Sequence, residues 1–108
     1  MSDYLLIASR DPFTSPSTRE VYELASALSE RGHRVTLFLI ENGVLAARGS
    51  ADYGALREIA AAGVRVLADE FALRQRAIPA HALLTGVEAA GLELVIDALA
   101  AGAKTIWH

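Results

Sequence analysis

Apolar residues follow two rhythms along this chain. Short unbroken apolar runs recur at intervals, and between them apolar residues return every three or four positions. The first run, Tyr4-Leu5-Leu6-Ile7-Ala8-Ser9, has no polar alternation, as a strand covered on both faces requires. Arg34-Val35-Thr36-Leu37-Phe38-Leu39-Ile40 and Val64-Arg65-Val66-Leu67-Ala68 read as the second and third strands. Gly86-Val87-Glu88-Ala89 predicts a short fourth strand and Lys104-Thr105-Ile106-Trp107 the last.

The intervening segments carry helical period and helical punctuation. Ser17 and Glu20 have capping-box spacing, and Val21, Leu24, Ala25 and Leu28 fall on one predicted face. Gly32 sits where a left-handed helix end is wanted. A short helix through Leu45, Ala46 and Ala47 follows Glu41-Asn42-Gly43. Tyr53 to Ala62 predicts another, with Leu56, Ile59 and Ala60 inward and Gly63 closing it. Asp69 is placed to cap a helix running to Arg76, and Pro79 lies beyond its end. Leu92, Val95, Ile96 and Leu99 mark the last helix. Strands separated by helices of this length imply right-handed crossovers. The expected fold is a small three-layer α/β domain, flavodoxin-like, with a mostly parallel five-stranded sheet over residues 1–108.

Composition narrows the function more than the fold. The chain has 108 residues, 53% of them hydrophobic, much of that alanine, and no apolar run of membrane-spanning length. Net charge is −3 with no basic block, which argues against nucleic acid as a partner. The opening Met1-Ser2-Asp3-Tyr4 has neither a basic n-region nor an Arg-rich leader, so a cytoplasmic location and no membrane partner are expected. There is no cysteine, which excludes disulfides and thiolate metal sites. The histidines have no zinc spacing, neither a P-loop nor Gly-x-Gly-x-x-Gly occurs, and no cofactor is expected.

In open parallel sheets, ligands bind at the carboxyl ends of the strands, where the strand order reverses. That rule selects Ser9, Arg10 and Asp11 after the first strand and Glu41 and Asn42 after the second. It also selects Asp69 and Glu70 after the third and Trp107 and His108 at the end of the fifth. Together with Arg76, these residues would line a crevice for a small polar ligand or a partner's tail. Each has a plainer reading: Asp69 as a helix cap, Asn42-Gly43 as a turn, Arg10 and Asp11 as a solvated pair, Arg76 as a solvated face or subunit contact. His33 leads into the second strand at the opposite end and reads as structural, and His108 reads as a fraying terminus or as an imidazole and carboxylate that jointly bind a cation. A phosphoacceptor receiver domain would need an acidic pair where the chain has Ser9-Arg10-Asp11.

Gly32-His33-Arg34-Val35-Thr36-Leu37-Phe38-Leu39, the following Glu41-Asn42-Gly43-Val44 and the stretch Ala68 to Ile78 carry a resemblance over nearly the whole chain. They look like DsrE/DsrF-like sulfur-relay proteins. The resemblance implies a homotrimer, homohexamer or heterohexamer working in sulfur transfer with a sulfur-carrier protein or a DsrE-type partner subunit. It also implies a persulfide-forming Cys at the start of a short helix ending in Arg-Gly. Here the Cys falls on Asp69, Arg matches Arg76 and Gly becomes Ala77. Persulfide chemistry needs a thiolate, so a carboxylate cannot take up the sulfur. The expected function is a cysteine-free binding or assembly module linked to sulfur metabolism. The alternative is an enzyme using Asp69 as acid or base, although a carboxylate oriented by Arg10 or Arg76 would be a weak base. Alanine-rich helices, with Phe13, Tyr53, Phe71 and Trp107 at loops or element ends, also predict an oligomer that covers them.

Overall fold

The structure, a computed structural model, describes residues 2–51 and 53–108. Met1, where the reading of a leaderless N-terminus begins, lies outside them. Five strands, β1 (Asp3–Ala8), β2 (Arg34–Leu39), β3 (Arg65–Asp69), β4 (Val87–Ala90) and β5 (Lys104–Trp107), form one sheet in the order β4-β3-β2-β1-β5. Every pairing is parallel. Four α-helices connect them: α1 (Thr18–Glu30), α2 (Gly54–Ala61), α3 (Glu70–Gln75) and α4 (Glu93–Ala100). Among the described residues, no helix is long and apolar enough to cross a membrane.

Layering follows from handedness. The crossovers from β1 to β4 step in one direction and carry α1, α2 and α3 onto one face. There Leu6, Leu37, Leu39 and Val66 pack against Val21, Tyr22, Leu56 and Leu73. The return from β4 to β5 runs the other way, so α4 lies alone on the opposite face. It seats Leu94, Val95 and Ala98 on Leu5, Ile7, Phe38, Ile40 and Leu67. Strands with apolar residues on both faces are therefore central, while β5 is an edge with every residue exposed.

Two expectations about helices need correction, and the last helix adds a finding. The Ser17–Glu20 capping box does not form, because the turn is already helical: the Thr18, Arg19 and Glu20 amides donate to the Ser15, Pro16 and Ser17 carbonyls. The buried stripe of α1 holds Thr18, Val21, Tyr22 and Ala25, leaving Leu24 exposed. In α4, Leu92, Ile96 and Leu99 point outward, since one helix on an open sheet face needs only a single buried side. The turn expectations hold: Gly32 and Gly63 are left-handed, at φ 85° and 106°.

Candidate functional site

The strand order reverses between β1 and β5, and the chain brings part of the expected crevice together there. Ser9 donates from its amide and its hydroxyl to the carbonyl of His108, each at 3.1 Å. His108 in turn donates its amide to the Ile7 carbonyl at 2.8 Å, and its ring Nε2 donates to the Ser17 carbonyl at 2.9 Å. The terminus is thus stitched to β1 and to the entry of α1, not frayed. Arg10 reaches Ser17 Oγ at 3.5 Å, a long contact, instead of pairing with Asp11. Asp11 accepts from the Phe13 amide at 3.0 Å and forms a local Asx turn.

A second group forms at the ends of β2 and β3, which lie about 5 and about 10 Å from β1 at the usual strand spacing. Arg76 donates from Nε and Nη2 to Asn42 Oδ1 at 3.3 and 2.9 Å, and from Nη1 to the Ala72 carbonyl. Asp69 caps α3 as expected, its Oδ2 accepting from the Ala72 amide at 3.2 Å. Its other oxygen is buried without a partner, and the residue is 5% exposed. Among the described residues Asp69 bonds to no arginine. Glu41 and Glu70 flank this group, both exposed.

The backbone around the second group is strained. Glu41 at φ 48° and Ala77 at φ 54° are the two left-handed residues other than glycine among those described. One immediately precedes Asn42 and the other immediately follows Arg76, so the bond between those side chains is framed by two costly conformations. Such strain collects at functional positions.

Sequence reasoning missed two features. A stack runs under the loop after β1, where Tyr53 packs edge-on to Phe13 at 5.2 Å and to Tyr22 at 5.8 Å. Tyr53 is therefore half-buried inside the chain, although Phe13, Phe71 and Trp107 are exposed as expected. Burial pushes the Tyr22 phenol well above its ordinary range, with Tyr53 and Asp11 adding to the effect. Its hydroxyl and that of Thr18, one turn earlier, have no partner. A cavity of about 240 Å³ lined by Pro12, Pro16, Arg19 and Tyr53 opens beside the stack.

The second missed feature is at the opposite end of the sheet, where the larger cavity, about 550 Å³, lies between α4 and the first residues of β1, β2 and β3. The charged residues that open those strands, Asp3, Arg34 and Arg65, were the available signal. His33 is structural, accepting from the Ser2 amide at 3.1 Å and lying edge-on to Tyr4. Among the described residues no cluster of His, Asp or Glu could hold a metal ion.

A parallel sheet ordered β4-β3-β2-β1-β5, with three helices on one face, a lone helix on the other and a short capped helix after β3, defines a three-layer α/β domain. The sequence model of the DsrE/DsrF-like family matches residues 2–107, and the chain belongs to that family. No curated protein matches it. Among solved structures it is similar to a protein of unknown function, MTH1491, from Methanobacterium thermoautotrophicum, at 19% identity and TM-score 0.89. It is similar to the ychN protein from E. coli at 24% identity and TM-score 0.89; both likenesses cover all of each chain. A conserved protein of unknown function from Bacteroides thetaiotaomicron, BT1422, aligns at 13% identity and TM-score 0.74, over 96% of this chain and 94% of that one.

Proposed function

We propose that this chain is a cysteine-free binding or assembly module of sulfur metabolism, acting in the cytoplasm as a homotrimer or homohexamer. It meets a sulfur-carrier protein or a DsrE-type partner subunit without holding the sulfur itself. The observation that carries the reading is Asp69. At the position where the family resemblance puts the reactive thiolate, this chain has a buried carboxylate engaged in capping α3. Arg10 and Arg76, which would orient it as an acid or base, bond instead to Ser17 and Asn42, which weighs against the acid–base alternative. The strand-end groups around Asn42 and Arg76 remain exposed and polar, as a partner's contact would need.

The test is binding of the chain to a persulfidated sulfur-carrier protein, read by calorimetry and by intact mass after separation. A complex with no sulfur atom retained on this chain is expected. In an Asp69→Cys variant the new thiolate should attack the terminal sulfur of the donor persulfide and release the donor thiolate, leaving one added sulfur atom on the variant. Absence of any complex with carrier proteins or partner subunits would end the module reading.

A further inference from the structure

The outer side of α4 is apolar and uncovered. Leu92, Ile96 and Leu99 are 56%, 67% and 55% exposed, spaced so that they form one ridge along the helix. Trp107 belongs to the same layer, because it pairs in register with Ile7, which lies under α4. Beside the ridge runs the 550 Å³ groove, with Leu5, Leu94 and Ala98 on its apolar wall. Its rim carries Arg65 from β3 and Asp97 from α4. Arg34 is already paired with Asp3 at 2.7 Å, whereas neither Arg65 nor Asp97 has a partner among the described residues.

We propose that this face docks a second copy of the chain about a two-fold axis. Each α4 ridge would enter the groove of the other copy, and Arg65 of each would meet Asp97 of the other. The inference rests on the self-assembly part of the function proposed above and names the surface. Self-complementarity favours a second copy over a foreign partner. An apolar ridge and a groove with one apolar wall lie side by side, and a free cation and a free anion share one rim. A two-fold axis satisfies all four at once, because every contact is made twice. The size also fits. The ridge and Trp107 offer apolar area on the order of 500 Å², near the top of what a monomer leaves uncovered and enough for the core of an interface burying roughly 800 Å² per partner.

The test is native mass spectrometry with sedimentation equilibrium on the wild type, Ile96→Glu, Arg65→Glu, Asp97→Arg and an equimolar mixture of the last two. All three positions are exposed, so circular dichroism should be unchanged in every variant. An even-numbered wild-type assembly is expected, with Ile96→Glu halving its mass. Arg65→Glu and Asp97→Arg should each weaken self-association about tenfold or more, since each places like charges together twice. Their mixture should recover it with one of each variant per pair, because Glu then faces Arg and the native pair survives on the other side. A wild-type trimer whose mass none of the variants alters would overturn the α4 interface and leave self-assembly standing. A wild-type monomer would overturn both. An even assembly indifferent to Ile96→Glu, with no recovery in the mixture, would place the two-fold elsewhere and reject this one.

Discussion

Arg76 and Asn42, thirty-four positions apart, close the space above β2 and β3 through two hydrogen bonds onto a single amide oxygen. The same guanidinium also holds the Ala72 carbonyl, so one side chain ties the end of α3 to the loop after β2. Removing the acceptor in Asn42→Ala should cost less than about 1 kcal/mol, since the pair is exposed and water replaces it. The local effect should be larger than the global one. Hydrogen exchange at the α3 amides should accelerate while the sheet amides keep their rates. Equal acceleration everywhere would show that the pair supports the whole fold, not this corner.

Ala77 ends α3 in a Schellman arrangement. Its amide donates to the Arg74 carbonyl at 3.2 Å, and the Ile78 amide donates to the Leu73 carbonyl at 2.9 Å. Ile78 and Leu73 are both buried in one apolar cluster, the contact that accompanies this motif. The motif wants glycine at its left-handed residue, and alanine at φ 54° carries the Cβ penalty. Ala77→Gly should therefore stabilise the chain by about 1 kcal/mol, read as a rise in Tm of several degrees. A fall in Tm would mean that the alanine methyl packs well enough to outweigh its strain.

The central strands were legible because runs such as Leu5 to Ala8 and Leu37 to Ile40 leave no polar residue to face water. Asp69 was legible as a cap because a carboxylate at a strand-to-helix junction finds free amides there. The inward side of α4 was not, since Leu92, Ile96 and Leu99 have the same spacing whether they face a sheet or a missing neighbour. The two strand-end groups were also merged in the sequence reading. Strand ends can be read along the chain, but their order across the sheet cannot, and β2 lies between Ser9 and Asp69. The groove was missed for the same reason: Asp3 pairs with Arg34, and Leu5 with Thr36 and then Arg65, only through the sheet register.

Gly43 is required by a close approach, not by its backbone angle. A Cβ built there would collide with the carbonyl oxygen of Ala8, which already accepts from the Ile40 amide at 2.9 Å. The obstacle is backbone in the centre of the sheet, so no flexible side chain can yield. Gly43→Ala should destabilise by roughly 1–3 kcal/mol, the usual cost of forcing a packed backbone apart. Urea unfolding would report it as a lower midpoint with an unchanged slope. An unchanged midpoint would mean that the turn over Glu41–Ala47 can shift outward freely, and with it Asn42.

Tyr22 links stability to alkaline pH. Its phenol is buried, has no hydrogen-bond partner and ionises far above the 10.0 of an exposed tyrosine. Below pH 10 the group is neutral in both folded and unfolded chains and adds no pH dependence. Above it the unfolded chain releases a proton that the folded chain keeps, so stability falls as pH rises, by up to about 1.4 kcal/mol per pH unit. Tyr22→Phe removes this slope while keeping the ring contact with Tyr53. It should cost little at pH 7, because the lost hydroxyl bonds to nothing and leaves no donor stranded. Urea midpoints of the two proteins between pH 7 and 11 should run together at first and then diverge, with the variant the more stable at the alkaline end. Curves that stay parallel through pH 11 would show that the phenol reaches water in the folded chain, and that the stack beneath the β1 loop opens on its own.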